Sequence, residues 1–431
     1  MLSTELRVAV DRAWDGVWSS GVTNPITVSD LLGTILMVAD PRGPQAWDRL
    51  ATAVDANDAG ALSEVLATVR RAHGMEPGAE VESPEFWKDA EPARRAMEAL
   101  RFLREQSLGT DVLGDIYEHV LSKLGLAGQF GQFRTPRHLV EFMVQVADPE
   151  QDELVLDPAC GTGGFLVAAS DYRRARGRAG RYEGAEIDRT VARIASANLA
   201  FHDVAGGDVM VADGLSATLG EADVILANPP FAGAVSDEVI SRFTTRSKKT
   251  ELLFLERMMK LLRPGGRAVV VVPYGVVTGS SGAGSAIREM LVRGNSLAAV
   301  IELPSGVFRP YTDVKTAILV WRAEPDGAAT QMVRVANDGF SLDARREPIG
   351  FNDLPEAIAV VRGQDALIAH RCVPTEEIVA AGLNLNPSRY LGDADAASVE
   401  HVDSEDVLAA LGGRLQLMLD RVVALKQEVA S

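Results

Sequence analysis

Between residues 153 and 321 the chain repeats one pattern: a short apolar run, a turn, then apolar positions at helical spacing. The runs ELVLD (153–157), RYEGAEI (181–187), VMVA (209–212), ADVILAN (222–228), RAVVVVP (267–273), LAAVIEL (297–303) and TAILVW (316–321) read as seven strands. Strands alternating with helices build βαβ units, whose crossovers place helices on both faces of a mostly parallel sheet. Runs that are almost wholly apolar suit strands covered on both sides. The spacing therefore predicts an α/β class: a doubly wound, seven-stranded, Rossmann-like domain over residues 126–330.

The flanks differ in texture. Residues 1–125 read as a helical domain. Val28-Ser29-Asp30 is the expected N-cap ahead of LLGTILMVAD, and Met97, Leu100, Leu103, Val112, Leu113, Ile116, Val120, Leu121 and Leu124 follow helical spacing. The stretch 74–90 reads as a loop. Residues 331–431 form a less regular C-terminal region with a helical tail. There Leu408, Leu411, Leu415, Met418, Val422, Leu425 and Val429 make an alternating 3–4 seam, with Ser404 as its N-cap. That helix either packs on its own domain or docks a partner subunit.

Two loops carry chemistry. In LVLDPACGTGGFLVAA a strand runs through Asp157-Pro158 and Ala159 into Gly161-Thr162-Gly163-Gly164 and a helix start. Glycines admit backbone conformations closed to other residues and let a ligand approach, and the helix start offers free N–H groups to a carboxylate. Gly161, Gly163 and Gly164 do not complete the Gly-x-Gly-x-x-Gly dinucleotide fingerprint. Glu186 closes the second strand, where an acid commonly receives a ribose hydroxyl pair. Asp213, after the third strand, is placed to accept from an adenine amine, with Asp208 as the competing candidate.

The second loop is Asn228-Pro229-Pro230-Phe231, at the end of the fourth strand. Two prolines remove donors and stiffen the turn, which leaves the Asn228 side chain and the Pro229 carbonyl as outward acceptors. An exocyclic aryl amine is a poor nucleophile because its lone pair is delocalised into the ring. Two acceptors on its hydrogens localise that pair, so the amine can attack a sulfonium methyl group in line, without a strong base or a metal. Phe231 is placed to stack on the base, which must leave a duplex to reach such a pocket. These residues point to methyl transfer from S-adenosylmethionine onto an amino group.

The segments FGQFRTPRHLVEFMV (130–144), DPACGTGGFLVAA (157–169), GAEID (184–188), ADG (212–214), NPPF (228–231), LRPGGRAVVVVP (262–273) and IELPSGVF…TAILV (301–320) resemble the N6-adenine DNA methyltransferases, in particular the methylation subunit of type I restriction–modification systems. The resemblance covers about residues 110–325 and implies a methyltransferase fold with S-adenosylmethionine as cofactor. It implies Phe133, Thr135 and Pro136 at the methionine end, and Asp157, Ala159, Gly161, Thr162 and Gly163 in the cofactor loop. Glu186 would then take the ribose, Asp213 the adenine, and Asn228, Pro229, Pro230 and Phe231 the target base. Arg134 departs from the pattern, which often has an aromatic residue there.

Composition bears on partners. Sixty acidic against 43 basic residues give a net charge of −17. A protein that grips DNA alone usually presents a basic face. The local exception is 232–250, where Arg242, Arg246, Lys248 and Lys249 suggest a lid over phosphates, or else an ordinary solvated loop. No module that reads base edges is recognisable after residue 325. DNA and a separate specificity subunit are therefore the expected partners, and the resemblance implies two methylation subunits per specificity subunit. The sequence leaves open whether a restriction subunit is also present. Two cysteines, no Cys/His cluster, no apolar window long enough to span a membrane and no secretory signal point to a cytoplasmic protein without metal. Two other functions fit the same motifs: an amino-group methyltransferase acting on protein glutamine or rRNA, and a non-catalytic cofactor-binding structural subunit.

Overall fold

A computed structural model of the chain describes residues 2–40, 46–75, 78–104, 110–126, 134–231, 233–279, 281–324 and 327–391. The C-terminal heptad seam and Phe133 lie outside these residues.

Among the described residues, six α-helices fall within residues 1–126: α1 (Thr4–Ser19), α2 (Pro25–Ala39), α3 (Trp47–Asp55), α4 (Ala59–Ala72), α5 (Glu91–Leu100) and α6 (Thr110–Leu126). The start of α2 corrects the sequence reading. Asn24 is the N-cap: its side-chain oxygen accepts from Ile26 N at 2.9 Å, and Pro25 follows in the first turn. Proline is favoured there because its missing donor has no partner to lose. Ser29 and Asp30 lie inside α2, with Asp30 buried and 2.9 Å from Arg70 of α4. The segment 74–90 also contains two short 3-10 turns, at Glu80–Glu82 and Pro84–Phe86.

Then come α7 (Arg137–Ala147), β1 (Leu154–Asp157), α8 (Gly164–Arg174), β2 (Arg181–Glu186), α9 (Arg189–Phe201), β3 (Gly207–Val211), β4 (Ala222–Ala227), α10 (Asp237–Ser241), α11 (Thr250–Leu261), β5 (Leu262–Pro273), β6 (Ser296–Glu302), β7 (Thr316–Arg322), β8 (Ala329–Arg334), β9 (Asp338–Phe340), β10 (Pro348–Asn352) and β11 (His370–Pro374). All seven expected strands form. The main sheet nevertheless has nine, in the order β11-β8-β6-β7-β5-β4-β1-β2-β3, and β9 pairs separately with β10. Strands β1 to β5 run parallel to one another, and β7 lies antiparallel between β5 and β6. The two extra strands, β8 and β11, come from the stretch read as less regular. Their burial is mixed rather than continuous, so no apolar run marks them.

The helical region packs against α9. Ile194, Ala197 and Phe201 of α9 belong to the same buried cluster as α1, α2 and α6. Tyr117 and Phe201 pack with ring centroids 4.9 Å apart and their planes tilted by 48°. A Cβ on Gly114 would stand 2.8 Å from His202, so a glycine lets α6 lie close against the end of α9. The α6 face is thereby delivered beside the loops that follow β1 and β2.

The sheet changes winding direction between β1 and β4. In open α/β sheets ligands bind outside the carboxyl ends of the strands at such a switch point. Here the loop 158–163 and the turn 228–231 leave that point side by side.

Candidate active site

The loop after β1 is shaped by backbone and braced by acid. Gly161 and Gly163 have φ of 53° and 78°, a region costly for residues with a Cβ. Gly163 caps α8 with no side-chain acceptor, so the first N–H groups of the helix are left for a ligand. Cys160 N donates to Ala185 O at 3.0 Å, which holds the loop on the end of β2. Glu186 is 5% exposed; it accepts from Gly161 N at 3.1 Å and from Asp188 N at 2.9 Å.

Asp157 is buried and accepts from Ala159 N at 3.0 Å. Burial, reinforced by the nearby Glu186 charge and only partly opposed by that N–H, pushes its carboxyl up to about 8.

Beyond β3, Asp213 accepts from Leu215 N at 3.0 Å and from Ser216 Oγ at 3.1 Å, and it faces the same cavity as Glu186. Asp208 lies near the amino end of β3, away from the strand ends that form the crevice. Gly214 packs so tightly that a Cβ there would lie 1.9 Å from the Pro158 carbonyl oxygen.

Asn228 joins the two halves of the site. Its Nδ2 donates to Thr135 Oγ1 at 3.0 Å, which fixes the amide orientation. Its Oδ1 is a buried acceptor with no partner among the described residues. Thr135 precedes Pro136, the N-cap of α7, so this anchor is itself held by a helix start. Pro229 is buried, Pro230 exposed and Phe231 half-buried.

Two adjoining cavities meet at Asn228. One, of about 320 Å³, includes Arg134, Thr135, Asp157 and Thr162. The other, of about 310 Å³, includes Glu186, Asp213, Asn228, Pro229 and Phe231. Sequence reasoning missed two of the second cavity's residues. Ile187 is an apolar side chain left 67% exposed beside Glu186, and Phe308 is a buried ring across from the NPPF turn. Ile187 closes the very segment that singled out Glu186, and Phe308 closes IELPSGVF after β6.

Arg242, Arg246, Lys248 and Lys249 are all exposed, and Arg242 pairs with Glu238 at 2.7 Å. The segment carrying them is fastened rather than loose. Glu256 of α11 accepts from Thr244 N at 2.7 Å, Thr245 N at 3.0 Å and Thr245 Oγ1 at 2.8 Å, and pairs with Lys260. Burial opposes ionisation of Glu256, but these donors bring its carboxyl down to about 2.

Among the described residues, no helix is long and apolar enough to cross a membrane, and no group of three or more His, Cys, Asp or Glu could hold a metal.

Sheet order, switch-point crevice and acid-braced glycine loop define a methyltransferase fold. The methyltransferase subunit of a type I restriction-modification system from Streptococcus thermophilus superposes with a TM-score of 0.69 at 19% identity, covering 91% of this chain and 100% of that one. The N-6 DNA methylase family model matches residues 108–398, and the chain belongs to that family. Its relatives include the type I restriction enzyme EcoEI methylase subunit of Escherichia coli, 32% identical over 264 residues, which are 57% of this chain and 54% of the relative. The StySPI methylase subunit of Salmonella potsdam is 32% identical over 261 residues, 54% of this chain and 49% of that one. The chain thus spans about half the length of these curated relatives.

Proposed function

We propose that this chain is the modification subunit of a restriction–modification or related defence complex, and that it methylates the N6 amine of an adenine turned out of DNA. The observation that carries this reading is the unpartnered Asn228 Oδ1, held by Thr135 at the switch point beside the glycine loop. A buried acceptor without a donor is costly, and an incoming amine N–H relieves that cost. Together with the Pro229 carbonyl it would pull the lone pair of the amine out of the ring, while Phe231 and Phe308 line the space for the base.

The residues fit S-adenosylmethionine. Glu186, Ile187 and Asp213 line one cavity, where Glu186 would receive the ribose hydroxyls, Asp213 the adenine amine, and Ile187 would offer an apolar face to the ring. When bound, the cofactor supplies a methyl group on a sulfonium. The N–H groups at the start of α8 and the Asp157 carboxylate would hold its amino-acid end. The exposed cations at 242–249 would meet DNA phosphates, and a specificity subunit would supply the base reading that an acidic chain lacks. A cytoplasmic location with two such chains per specificity subunit completes the proposal.

The test is incubation of the chain with labelled cofactor and DNA, RNA or protein, with and without its operon neighbours. Label in N6-methyladenine that requires a specificity subunit supports the reading. Label in protein or RNA, or none in any substrate, overturns it.

A second expectation concerns pH. In the folded chain the Asp157 carboxyl sits near 8, whereas in the unfolded chain it ionises near 4. The folded state therefore holds a proton that the unfolded state has lost, and this residue's contribution to stability falls as pH rises through that window. A bound cation reverses the preference and expels the proton. Affinity for S-adenosylmethionine should accordingly rise between about pH 6 and 7.5, by up to about tenfold per unit. Calorimetry in buffers of different ionisation heat should detect the released proton, and Asp157→Asn should abolish it. An equal release from the variant would contradict the assignment.

A further inference from the structure

The first cavity contains an ion pair that the chemistry above does not use. Arg134 lines it together with Thr135, Thr162 and Asn228. Its Nη2 is paired with Glu118 of α6. Glu118 also accepts from Asn198 Nδ2 at 3.3 Å, and the same Nδ2 donates to the Thr162 carbonyl at 2.9 Å. One carboxylate on the helical region thus braces both walls of the cavity, the segment before α7 and the glycine loop. The side chains of Arg134 and Glu118 are 23% and 14% exposed, so the guanidinium is held rather than free to swing.

The surrounding charge shows what a held guanidinium can do there. Glu118, Glu141 and Asp171 line the cavity, a set that would repel a carboxylate ligand unless a cation intervened. Arg137 also lines it, but is 61% exposed with its Nε on Glu141 at 2.9 Å. Arg134 has the better claim. A guanidinium carries five N–H donors in a planar fork matched to a carboxylate, and the pair with Glu118 engages one edge of it.

We propose that Arg134, aimed by Glu118, binds the carboxylate of the cofactor's methionine moiety. The proposal rests on the reading that the cofactor is S-adenosylmethionine. Arg134 is the binding group and Glu118 is a positioning residue, so the helical region takes part in cofactor recognition.

The experiment compares S-adenosylmethionine with its decarboxylated form, which lacks only the carboxylate, by calorimetry on the full chain. Wild type should bind the parent compound at least about tenfold more tightly, a difference of about 1.4 kcal/mol. Arg134→Ala should weaken the parent about tenfold and leave the decarboxylated form within about twofold, which erases the discrimination. Glu118→Ala should show the same pattern with a smaller loss, and Glu118→Gln, which keeps an acceptor, should fall between it and wild type. Thermal melts, with Arg134→Gln as a second variant, guard against a folding defect. Equal weakening of both ligands would make the pair a structural brace and overturn the proposal. Unchanged binding of both would overturn it too. If wild type binds neither ligand, the cofactor reading falls and takes this proposal with it; if wild type binds and discriminates as Arg134→Ala does, only this proposal falls.

Discussion

Asn228→Ala is expected to slow methyl transfer by about a hundred- to a thousandfold while changing cofactor affinity less than about threefold. The rate effect follows from the amide's position. Its oxygen is a buried acceptor with no donor among the described residues, and its nitrogen is already committed to Thr135. Removing one pre-aimed hydrogen-bonding group at a site of charge development typically costs two to three orders of magnitude in rate. The cofactor loop does not depend on that amide, being braced by Glu186 and Ala185 instead. Single-turnover kinetics with the assembled complex, beside calorimetry of the cofactor, separate the two effects. A variant that keeps its rate, or that loses cofactor binding in proportion, would show that the amide does not act on the target amine. Thr135→Val should produce a weaker version of the same defect, because the amide would survive without its anchor.

Gly214→Ala is expected to raise the dissociation constant for S-adenosylmethionine by at least about a hundredfold. The added methyl group would have to occupy space 1.9 Å from the carbonyl oxygen of Pro158. That atom is backbone and cannot rotate away, so either the β3 loop or the glycine loop must shift. Overpacking of this kind costs about 1–3 kcal/mol of stability. The binding loss should exceed the stability loss, because the displaced atoms carry Asp157, Gly161 and Asp213 with them. Gly220→Ala supplies the control: nothing lies within 4 Å of a Cβ there, and its melting temperature and affinity should match wild type. Unaltered cofactor binding by the Gly214 variant would mean that the two loops are not held in register by this contact.

Much of this fold could be read in the chain because its central strands are buried on both faces. RAVVVVP and TAILVW can hardly be anything but interior strands, and both form. Strands β8 and β11 escaped because each buries only part of its side chains and presents polar groups elsewhere, which a search for apolar runs passes over. The N-cap was misplaced for a similar reason. Ser29 and Asp30 have capping chemistry, but Asn24-Pro25 has it together with the proline geometry of a first turn, and Asp30 is consumed by Arg70. Within the site, the residues of the two loops were visible as motifs. What joins them was not: Thr135 and Asn228 are 93 positions apart, and no local pattern encodes a bond across that gap. Phe308 was hidden likewise, since a phenylalanine in a loop after β6 looks like any core residue until the sheet order brings it opposite NPPF.

The grip of Glu256 on Thr244 and Thr245 has a thermodynamic consequence. A cationic segment that condenses only on its ligand shows an extra negative heat-capacity change, from the apolar surface it buries as it folds. Here Phe243 is 4% exposed and belongs to the same buried cluster as α11, so the chain's own side chains supply that burial. Titration of duplex into the assembled complex should give a heat-capacity change set by the contact area between the molecules alone. Glu256→Gln should add a folding contribution and slow the encounter, with little change in the slope of affinity against salt, because the number of cations is the same.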